Sequence, residues 1–367
     1  MKKIIFASLI LALVSTSTLA FQSAYAPYGF GAKFGAMGGA GSALCDDVMC
    51  VYYNPAAIAS GSLGELKVGM GAATDGLNDI MQVVNSVEKP EDFLSQYFTQ
   101  TFDMNGSLSA LMGVKIQKVG VSVISVGRLN LTKPDINTLV GSSATAMFGT
   151  EAAATLGYRF AIPALPIGSL DLGLNIKSIN SFSSQSTASG VSSSTEQVTK
   201  GTGTAFDLGA RAGLEAGWPT KIAIVMRDIS STLKNDITTK NTTYNPLTGA
   251  ILTQTTTSAA GVGTTSPVTT TIGVGTKIPV IGLVLAADLD SVSGSGTSYS
   301  VTHIGAEMPI AGGLIVLRGG MVSGGPSGSP ISMTTYGAGI WGLNVALMLD
   351  SETPKNNSTI FDFGFSM

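Results

Sequence analysis

The residues that could carry catalysis are few, because the chain contains a single histidine, His303. A Ser-His-Asp or Cys-His constellation would have to be built around that imidazole. On a strand, Glu307 shares the face of His303, and Arg318 comes on the next strand. Charges on the wall of an enclosed space usually pair with one another. Because the sequence has no Gly-x-Ser-x-Gly elbow, phosphate loop or His-Glu-x-x-His motif, we predict an ion-pair network and no enzymatic activity.

Cys45 and Cys50 are the only two cysteines. In an exported protein the pair is free to form a disulfide. A metal site is the other interpretation of Cys-Asp-Asp-x-x-Cys, but nothing else in the segment supplies a further soft ligand. Residues at i and i+5 do not share a face of a continuous helix, so a bridge requires a turn there. We predict a disulfide, and neither a metal nor a cofactor.

The start of the chain indicates export. Lys2 and Lys3 precede an apolar run from Ile4 to Val14, and small and polar residues follow. This layout is typical of a secretory signal peptide. We predict a signal peptide over residues 1–20, with cleavage as late as residue 26 as the alternative.

The composition favours an all-β membrane protein. The sequence is 44% hydrophobic and 12% charged, and its mean hydropathy is +0.35. After the signal peptide no window approaches the ~20 apolar residues of a spanning helix. The 46 glycines and many threonines disfavour helices. A net charge of −3 without basic clusters excludes nucleic acid as a partner.

From residue 64 onward the sequence alternates between apolar and polar residues in segments of about ten residues, as membrane-spanning strands do. Phe206 and Leu208 share one face in the clearest segment, whereas Asp207 and Arg211 share the other. We predict about fourteen strands, near 64–73, 105–116, 119–129, 150–160, 169–180, 203–214, 219–230, 268–278, 280–290, 299–309, 313–323, 332–341, 343–350 and 357–367.

The lengths of the connections separate two all-β alternatives. A soluble β-sandwich also alternates apolar and polar residues. Here, however, long and short connections alternate strictly. Outer-membrane barrels show this asymmetry, whereas nothing in the architecture of a sandwich requires it. We therefore predict an antiparallel transmembrane β-barrel in the outer membrane, formed by residues 63–367 and in contact with outer-membrane lipid.

Three long connections stand out as external loops. Residues 181–202 are rich in serine and 231–267 in threonine, so we predict mobile loops without a core. Residues 74–104 carry helical apolar spacing, which predicts two short amphipathic helices at the outer mouth. These helices either cap the barrel rim or gather a hydrophobic ligand. The residues of this external hydrophobic site are Leu77, Ile80, Met81, Val84, Phe93 and Phe98.

The last predicted strand alternates Phe361, Phe363 and Phe365 with small or polar residues. A terminal aromatic strand of this kind resembles the signal that the barrel-assembly machinery recognises. Met367 departs from that signal, which usually ends in phenylalanine. The barrel-assembly machinery is therefore a predicted partner during biogenesis.

Three short motifs near the N-terminus occur in a defined order: Gly31–Ala40, Ala43–Asp47 and Tyr52–Ala59. Together they resemble the N-terminal signature of the FadL-like superfamily of outer-membrane barrels, which includes long-chain fatty acid transporters and PorV-type proteins. The strand segments Phe206–Ala210 and His303–Glu307, with Leu-Arg-Gly-Gly at 317–320, are similar to those of the PorV-like branch. The resemblance implies a fourteen-stranded barrel with an N-terminal plug, or hatch, over residues 27–62.

The resemblance also implies roles for single residues. Asn54, Pro55 and Ala56 match the element that obstructs the lumen in the fatty-acid branch, and either shape the plug or gate it. Gly38 and Gly39 belong to the same block, where glycine permits tight backbone turns. Inward-facing charges predict a lumen network; its members are Asp207, Arg211, Arg227, Asp288, His303, Glu307 and Arg318.

Two functions from different classes follow from these observations. In the first, hydrophobic or amphiphilic small molecules of the fatty-acid or hydrocarbon type cross the outer membrane through the barrel. In the second, a PorV-like barrel serves protein secretion or surface attachment, with a secretion-machinery protein as its partner. A plain diffusion pore is a third alternative, since the sequence leaves open whether the lumen is plugged.

Overall fold

The computed structural model describes residues 30–73, 102–133, 143–162, 167–188, 193–214, 217–245, 250–294, 296–328, 330–351 and 357–366. The predicted signal peptide lies outside these residues, as does the predicted external site from Leu77 to Phe98. Within the described ranges, no helix is long and apolar enough to cross a membrane.

Strands make up most of the described chain. They are β1 Gly64–Ala73, β2 Phe102–Ile116, β3 Val119–Lys133, β4 Ser143–Ala161, β5 Ile167–Ala188, β6 Ser193–Leu214, β7 Thr220–Tyr244, β8 Ile251–Thr264, β9 Val268–Lys277, β10 Val284–Gly294, β11 Thr297–Ile310, β12 Ile315–Gly324, β13 Ile331–Ile340, β14 Leu343–Asp350 and β15 Ser358–Ser366. The helical elements are α1 Ala32–Gly35, α2 Cys50–Tyr53 and two 3₁₀ helices, Pro55–Ala59 and Ala311–Gly313.

Fourteen of these strands close into an antiparallel barrel. Strands that follow each other in sequence are hydrogen-bonded neighbours, except that β9 pairs with the inner part of β7 and not with β8. The ring closes where β1 pairs with β15, from Glu65 opposite Ser366 to Ala73 opposite Ser358. The fifteenth strand, β8, pairs with the outer part of β7 alone among the described strands. The predicted fold class is therefore confirmed, with one strand added.

The alternation of side chains follows the prediction. Phe206 and Leu208 are exposed on the outside of the barrel, and Asp207 and Arg211 are buried within it. On β15, Phe361 and the other aromatic residues face outward in the same way. An apolar outer surface fits a hydrocarbon surround, because lipid neither donates nor accepts hydrogen bonds. The architecture is that of an outer-membrane β-barrel.

Short connections gather at one end of the barrel, as between β2 and β3 at Gln117–Lys118. The first residue of β1 and the last residue of β15 lie at this same end. Outer-membrane barrels place short turns and both termini on the periplasmic side. We call it the inner end and the opposite one the outer end.

Two of the predicted loops are wrong in their structure. Most of residues 181–202 and 231–267 are strand, because β5 to β8 continue far beyond the other strands at the outer end. Likewise β3 reaches Lys133 and β4 begins at Ser143. Threonine has a high strand propensity, and adjacent hairpins supply the backbone hydrogen bonds that an isolated polar loop would lack. We call 181–188, 193–204, 231–244 and 251–264 the outer sheet.

Residues 30–62 form no strand and lie inside the barrel; we call them the N-terminal segment. Its two short helices and first 3₁₀ helix pack against the inward faces of the strands. The segment supplies much of the core: Phe30, Phe34, Met37, Ala40, Cys45, Val48, Met49, Cys50, Val51, Tyr52, Tyr53, Ala57 and Ile58 form one cluster. The wall residues Leu111, Ile124, Val126, Ala153 and Ala286 complete it.

Candidate functional site inside the barrel

Asn54 holds the turn that begins the first 3₁₀ helix. Its backbone is extended, and its Oδ1 accepts a hydrogen bond from the Ala56 N–H at 2.9 Å. Its Nδ2 donates to the Ser42 carbonyl at 2.9 Å, so one side chain ties two parts of the N-terminal segment together. Pro55 takes the first helical position, where its missing N–H is no loss. All three predicted hatch residues, Asn54, Pro55 and Ala56, are buried.

Gly38 and Gly39 form a turn that needs glycine. Their φ angles are 65° and 83°, in the left-handed region that disfavours other residues. The turn brings the Gly38 N–H to within 3.0 Å of Thr335 Oγ1 on β13, and the Gly38 carbonyl to 2.7 Å from His303 Nδ1 on β11. The predicted glycine pair is thus bound to two strands of the wall.

Two buried carboxylates of the wall accept hydrogen bonds from the segment's backbone. Asp288 on β10 accepts from the N–H groups of Gly41 at 2.9 Å and Ser42 at 2.8 Å, and from the Ser42 hydroxyl at 2.7 Å. Asp362 on β15 accepts from the Ala32 N–H. Such charge-assisted bonds are stronger than neutral ones, so they fix the segment to two separate strands of the wall.

Arg211 on β6 anchors the segment from a third direction. Its guanidinium donates to the Cys45 carbonyl at 2.7 Å and also to the Ser60 hydroxyl. The same group pairs with Asp171 of β5 at 2.8 Å, which neutralises the buried charge.

Glycines of the wall let the backbone of the N-terminal segment pack directly against the backbone of the strands. A methyl group on Gly173 of β5 would overlap the carbonyl carbon of Pro55, and one on Gly209 of β6 would overlap Asn54 Oδ1. Gly305 and Gly320 stand equally close to the backbone of residues 37–38. Inward-facing glycines on several strands therefore shape the wall to this particular segment.

A disulfide joins Cys45 and Cys50, whose Cα atoms are 5.4 Å apart. The chain turns between them, and Asp47 Oδ1 accepts from the Met49 N–H at 2.8 Å. Asp47 lies close enough to both sulfurs for the three to resemble a metal site. Disulfide sulfurs are not thiolates, however, so in this state the group lacks the ligands that a soft metal requires.

Polar groups within the N-terminal segment are shifted by their surroundings. Burial raises the pKa of Tyr53 well above its ordinary value, and the phenol donates to the Phe30 carbonyl at 2.9 Å. Burial alone would lower the pKa of Lys33, but the carboxylates of Asp46 and Asp47 outweigh it and raise that pKa. Lys33 Nζ lies 2.5 Å from Asp46 Oδ1. At neutral pH the phenol is therefore neutral and the lysine charged.

A cluster of ionisable side chains lies on the outer side of the segment. Its centre is Lys177, whose Nζ is 2.5 Å from Asp228, 2.7 Å from Asp207 and 3.7 Å from Glu151. Beside it Arg227 pairs with Asp290 at 3.0 Å. We call this set the ionic cluster; its members are Glu151, Lys177, Asp207, Arg227, Asp228, Asp290 and His303.

The ionic cluster touches the segment directly. The Arg227 guanidinium lies over the ring of Tyr52 at 5.5 Å from its centroid. Asn175 donates to the Val51 carbonyl at 2.5 Å and to Asp207 at 2.9 Å. Asn175 thus links the ionic cluster to the N-terminal segment by hydrogen bonds.

The predicted lumen network separates into three groups. Asp207, Arg227 and His303 belong to the ionic cluster, whereas Arg211 and Asp288 bind the N-terminal segment. The third group is a pair nearer the inner end, Arg318 Nε with Glu307 Oε2 at 2.8 Å; the same guanidinium reaches Asn344.

Several site residues were missing from the predicted lumen network. The anchoring residues Asp171, Asn175, Thr335 and Asp362 and the cluster residues Glu151, Lys177 and Asp228 all face inward. Strand parity puts most of them on the inward face, but it does not show what they contact. Asp228 could not be placed, because its φ of 60° accompanies a break in the β6–β7 register that turns it inward beside Arg227.

Beyond the ionic cluster, toward the outer end, apolar side chains join polar ones on the inward faces of the strands. Ile179 is two residues outward from Lys177 on β5, and Val301 is two residues outward from His303 on β11. Two buried clusters make up this apolar layer: Ile179, Ala205 and Leu233 in one, and Val301, Val322 and Met333 in the other. Tyr299 and Ile331 pack against the second.

No protein-family model and no curated protein matches this sequence. Solved structures do match along nearly the whole chain. The toluene transporter TodX of Pseudomonas putida superposes with a TM-score of 0.64 at 11% identity, covering 93% of this chain and 99% of TodX. The monoaromatic hydrocarbon channel CymD gives 0.63 at 12% identity, covering 94% of this chain and 99% of CymD.

A FadL homologue of Pseudomonas aeruginosa also matches, with a TM-score of 0.52 at 11% identity, over 90% of this chain and 96% of the homologue. At such low identity these likenesses concern the fold alone. The resemblance to FadL-like barrels that the N-terminal motifs predicted is thereby confirmed at the level of the fold.

Proposed function

We propose that the protein carries apolar small molecules across the outer membrane through its barrel. The observation that carries this proposal is the order of layers along the lumen. From the outer end an entering molecule meets the apolar layer, then the ionic cluster, then the N-terminal segment. An apolar layer gives such a molecule a favourable place away from water.

The tight fit of the N-terminal segment argues against a plain diffusion pore. Wall carboxylates, Arg211 and close glycines hold the segment from several strands at once. In this proposal the segment acts as the hatch, and Asn54, Pro55 and Ala56 form the part that must shift during passage. The fold likeness to TodX and CymD supports the same substrate type.

Uptake measurements test the proposal. Cells of a Gram-negative host that lacks other FadL-like barrels would express the protein or an empty vector, and the uptake of labelled toluene, decane and dodecanol would be compared. We expect expression to increase the initial rate at least about threefold for one or more compounds. The Cys45→Ser/Cys50→Ser variant, whose segment is less constrained, tests whether the segment limits the rate. Equal uptake across the panel would reject the proposal.

A role in protein attachment is a second candidate, and the outer sheet is the observation that favours it. Strand β8 is exposed at every position, and among the described strands it pairs with β7 alone. An unpaired strand edge can accept an extended segment of another protein. Purification in mild detergent distinguishes the candidates: a stoichiometric protein partner supports attachment, and recovery of the barrel alone with apolar ligand supports transport.

A further inference from the structure

Both cations of the ionic cluster already pair with carboxylates of the protein, although the buried Arg227 Nε has no hydrogen-bond partner among the described residues. Lys177 is completely buried, and three carboxylates surround its Nζ within 3.7 Å. Arg227 NH2 donates to Asp290 at 3.0 Å and to Thr271 at 2.8 Å. A carboxylate that entered from the apolar layer would have to displace one of these partners to find a counter-charge.

The formal charge of the cluster is negative. Two cations face four carboxylates, which leaves −2 while His303 is neutral and −1 if it is protonated. On the outer side of the cluster, two further charged residues whose side chains the structure describes, Arg128 on β3 and Asp350 on β14, face inward by strand parity, and each interacts with other groups of the protein. Their opposite charges cancel, so they leave the balance unchanged.

The part of the cluster that is most accessible is a carboxylate. The Asp290 side chain is 17% exposed, against 7% for Arg227 and 0% for Lys177. Asp290 is therefore the charge of the cluster that a molecule coming from the apolar layer reaches most easily. In a region of low dielectric, like charges repel strongly, and an anion also loses its hydration.

Resting on the proposed transport function, we infer that the substrate is an apolar molecule whose polar end is neutral or cationic, and that fatty-acid carboxylates are rejected. A hydroxyl can donate to Asp290, and an ammonium can pair with it. A hydrocarbon without a polar end is not repelled by the charges of the cluster and has no hydrated charge to lose. The lumen thus discriminates by charge among molecules of equal hydrophobic length.

Three ligands with the same twelve-carbon chain test this inference. The purified full chain in nonionic detergent would be loaded with a neutral fluorescent apolar probe, and dodecanol, dodecylamine and dodecanoate would compete for it at pH 7.5. We expect dodecanol and dodecylamine to displace the probe, and dodecanoate to do so at least about tenfold more weakly. Dodecanoate competing within twofold of dodecanol would overturn the inference. If no ligand competes and the probe itself does not bind, the proposed function fails instead.

Substitution of Asp290 sharpens the test. Asp290→Asn removes the accessible carboxylate and releases Arg227, so we expect the preference for dodecanol over dodecanoate to fall about tenfold. Asp236→Asn is the matched control, because Asp236 is on an outward position of β7 and bonds the Gly261 N–H of the outer sheet. An unchanged preference in Asp290→Asn, with heat-modifiable migration like that of the parent, would contradict the role of the cluster.

Discussion

The inner and outer halves of β5, β6 and β7 belong to the same hydrogen-bonded sheet, but their side chains have different surroundings. In the inner half, inward side chains such as Lys177 and Asp207 meet the N-terminal segment or each other and are buried. In the outer half, the same strands form the outer sheet, where Lys240 and Glu196 stay about half exposed. Pairing of strands is therefore enough to form the sheet, whereas burial decides how much each side chain contributes to the stability of the fold.

We expect the largest loss of stability from a substitution of Lys177 in the inner half. Lys177→Met leaves Asp207, Asp228 and Glu151 together without their cation, and breaking a buried ion pair from one side costs about 3–5 kcal/mol. Lys240→Met on the outer sheet removes a 4.0 Å surface pair, for which we expect about 0.5 kcal/mol or less. Urea unfolding in phospholipid micelles measures both. Similar losses for the two variants would refute the contrast between the halves.

Wall glycines give the next largest effect. Gly173→Ala places a methyl group against backbone atoms of Pro55 and Ala56, which cannot move aside as a flexible side chain could. We therefore expect about 3 kcal/mol of destabilisation. Gly263→Ala on β8 has open space around it and should stay within about 0.5 kcal/mol of the parent. Limited proteolysis would locate the change: new cleavage is expected in residues 30–62 of Gly173→Ala. Parental stability of that variant would mean that the segment has room to shift.

Asn54→Ala should cost about 2 kcal/mol. The variant loses the cap on Ala56 and leaves the buried Ser42 carbonyl without its donor. Asn241→Ala, which loses an exposed bond with Thr195 on the outer sheet, is the counterpart and should change stability little. Single-channel recording in planar bilayers gives a second measurement, in which Asn54→Ala should open more often than the parent. An Asn54→Ala protein with parental stability and conductance would show that the turn is held elsewhere.

Removal of the disulfide is expected to have the smallest effect within the N-terminal segment. The bridge closes a short loop, for which the chain-entropy relation gives about 2 kcal/mol as an upper value. Cys45→Ala/Cys50→Ala should therefore lower the stability of the segment while the strands keep their circular dichroism spectrum. Reductant should reproduce the effect in the parent and have none in the variant. A reductant effect in the variant would assign the change to another part of the protein.

Period-2 alternation was sufficient to predict the fourteen strands of the barrel and their faces, but it did not predict β8. Phe206 against Asp207 placed β6 correctly, because a half-buried strand has to alternate when one side meets lipid. The inner ends were also close, since turns such as Gln117–Lys118 interrupt the pattern sharply. The outer ends were wrong, because a serine- and threonine-rich stretch has the same composition whether it is a loop or a paired strand.

The site was harder to predict than the fold, because contacts inside a barrel join residues that are far apart in sequence. The family resemblance identified Asn54 and Gly38, yet nothing in the sequence connects Gly38 to Thr335 or Asn54 to Gly209. A glycine in a strand shows that a side chain is missing but not what approaches it. The bulge at Asp228 left no pattern at all, since its neighbours alternate as in a regular strand.

The bond from the Ala32 N–H to Asp362 spans 330 residues of chain. Ribosomes make the N-terminal segment before any strand of the wall, and β15, which carries its carboxylate partner, comes after the other fourteen strands. Until β15 arrives and pairs with β1, the segment has only part of its final contacts, and the barrel is still an open sheet. The barrel therefore closes and the N-terminal segment gains its last contacts in one late folding step. Until then the cell has to protect an open sheet with unpaired edges from aggregation.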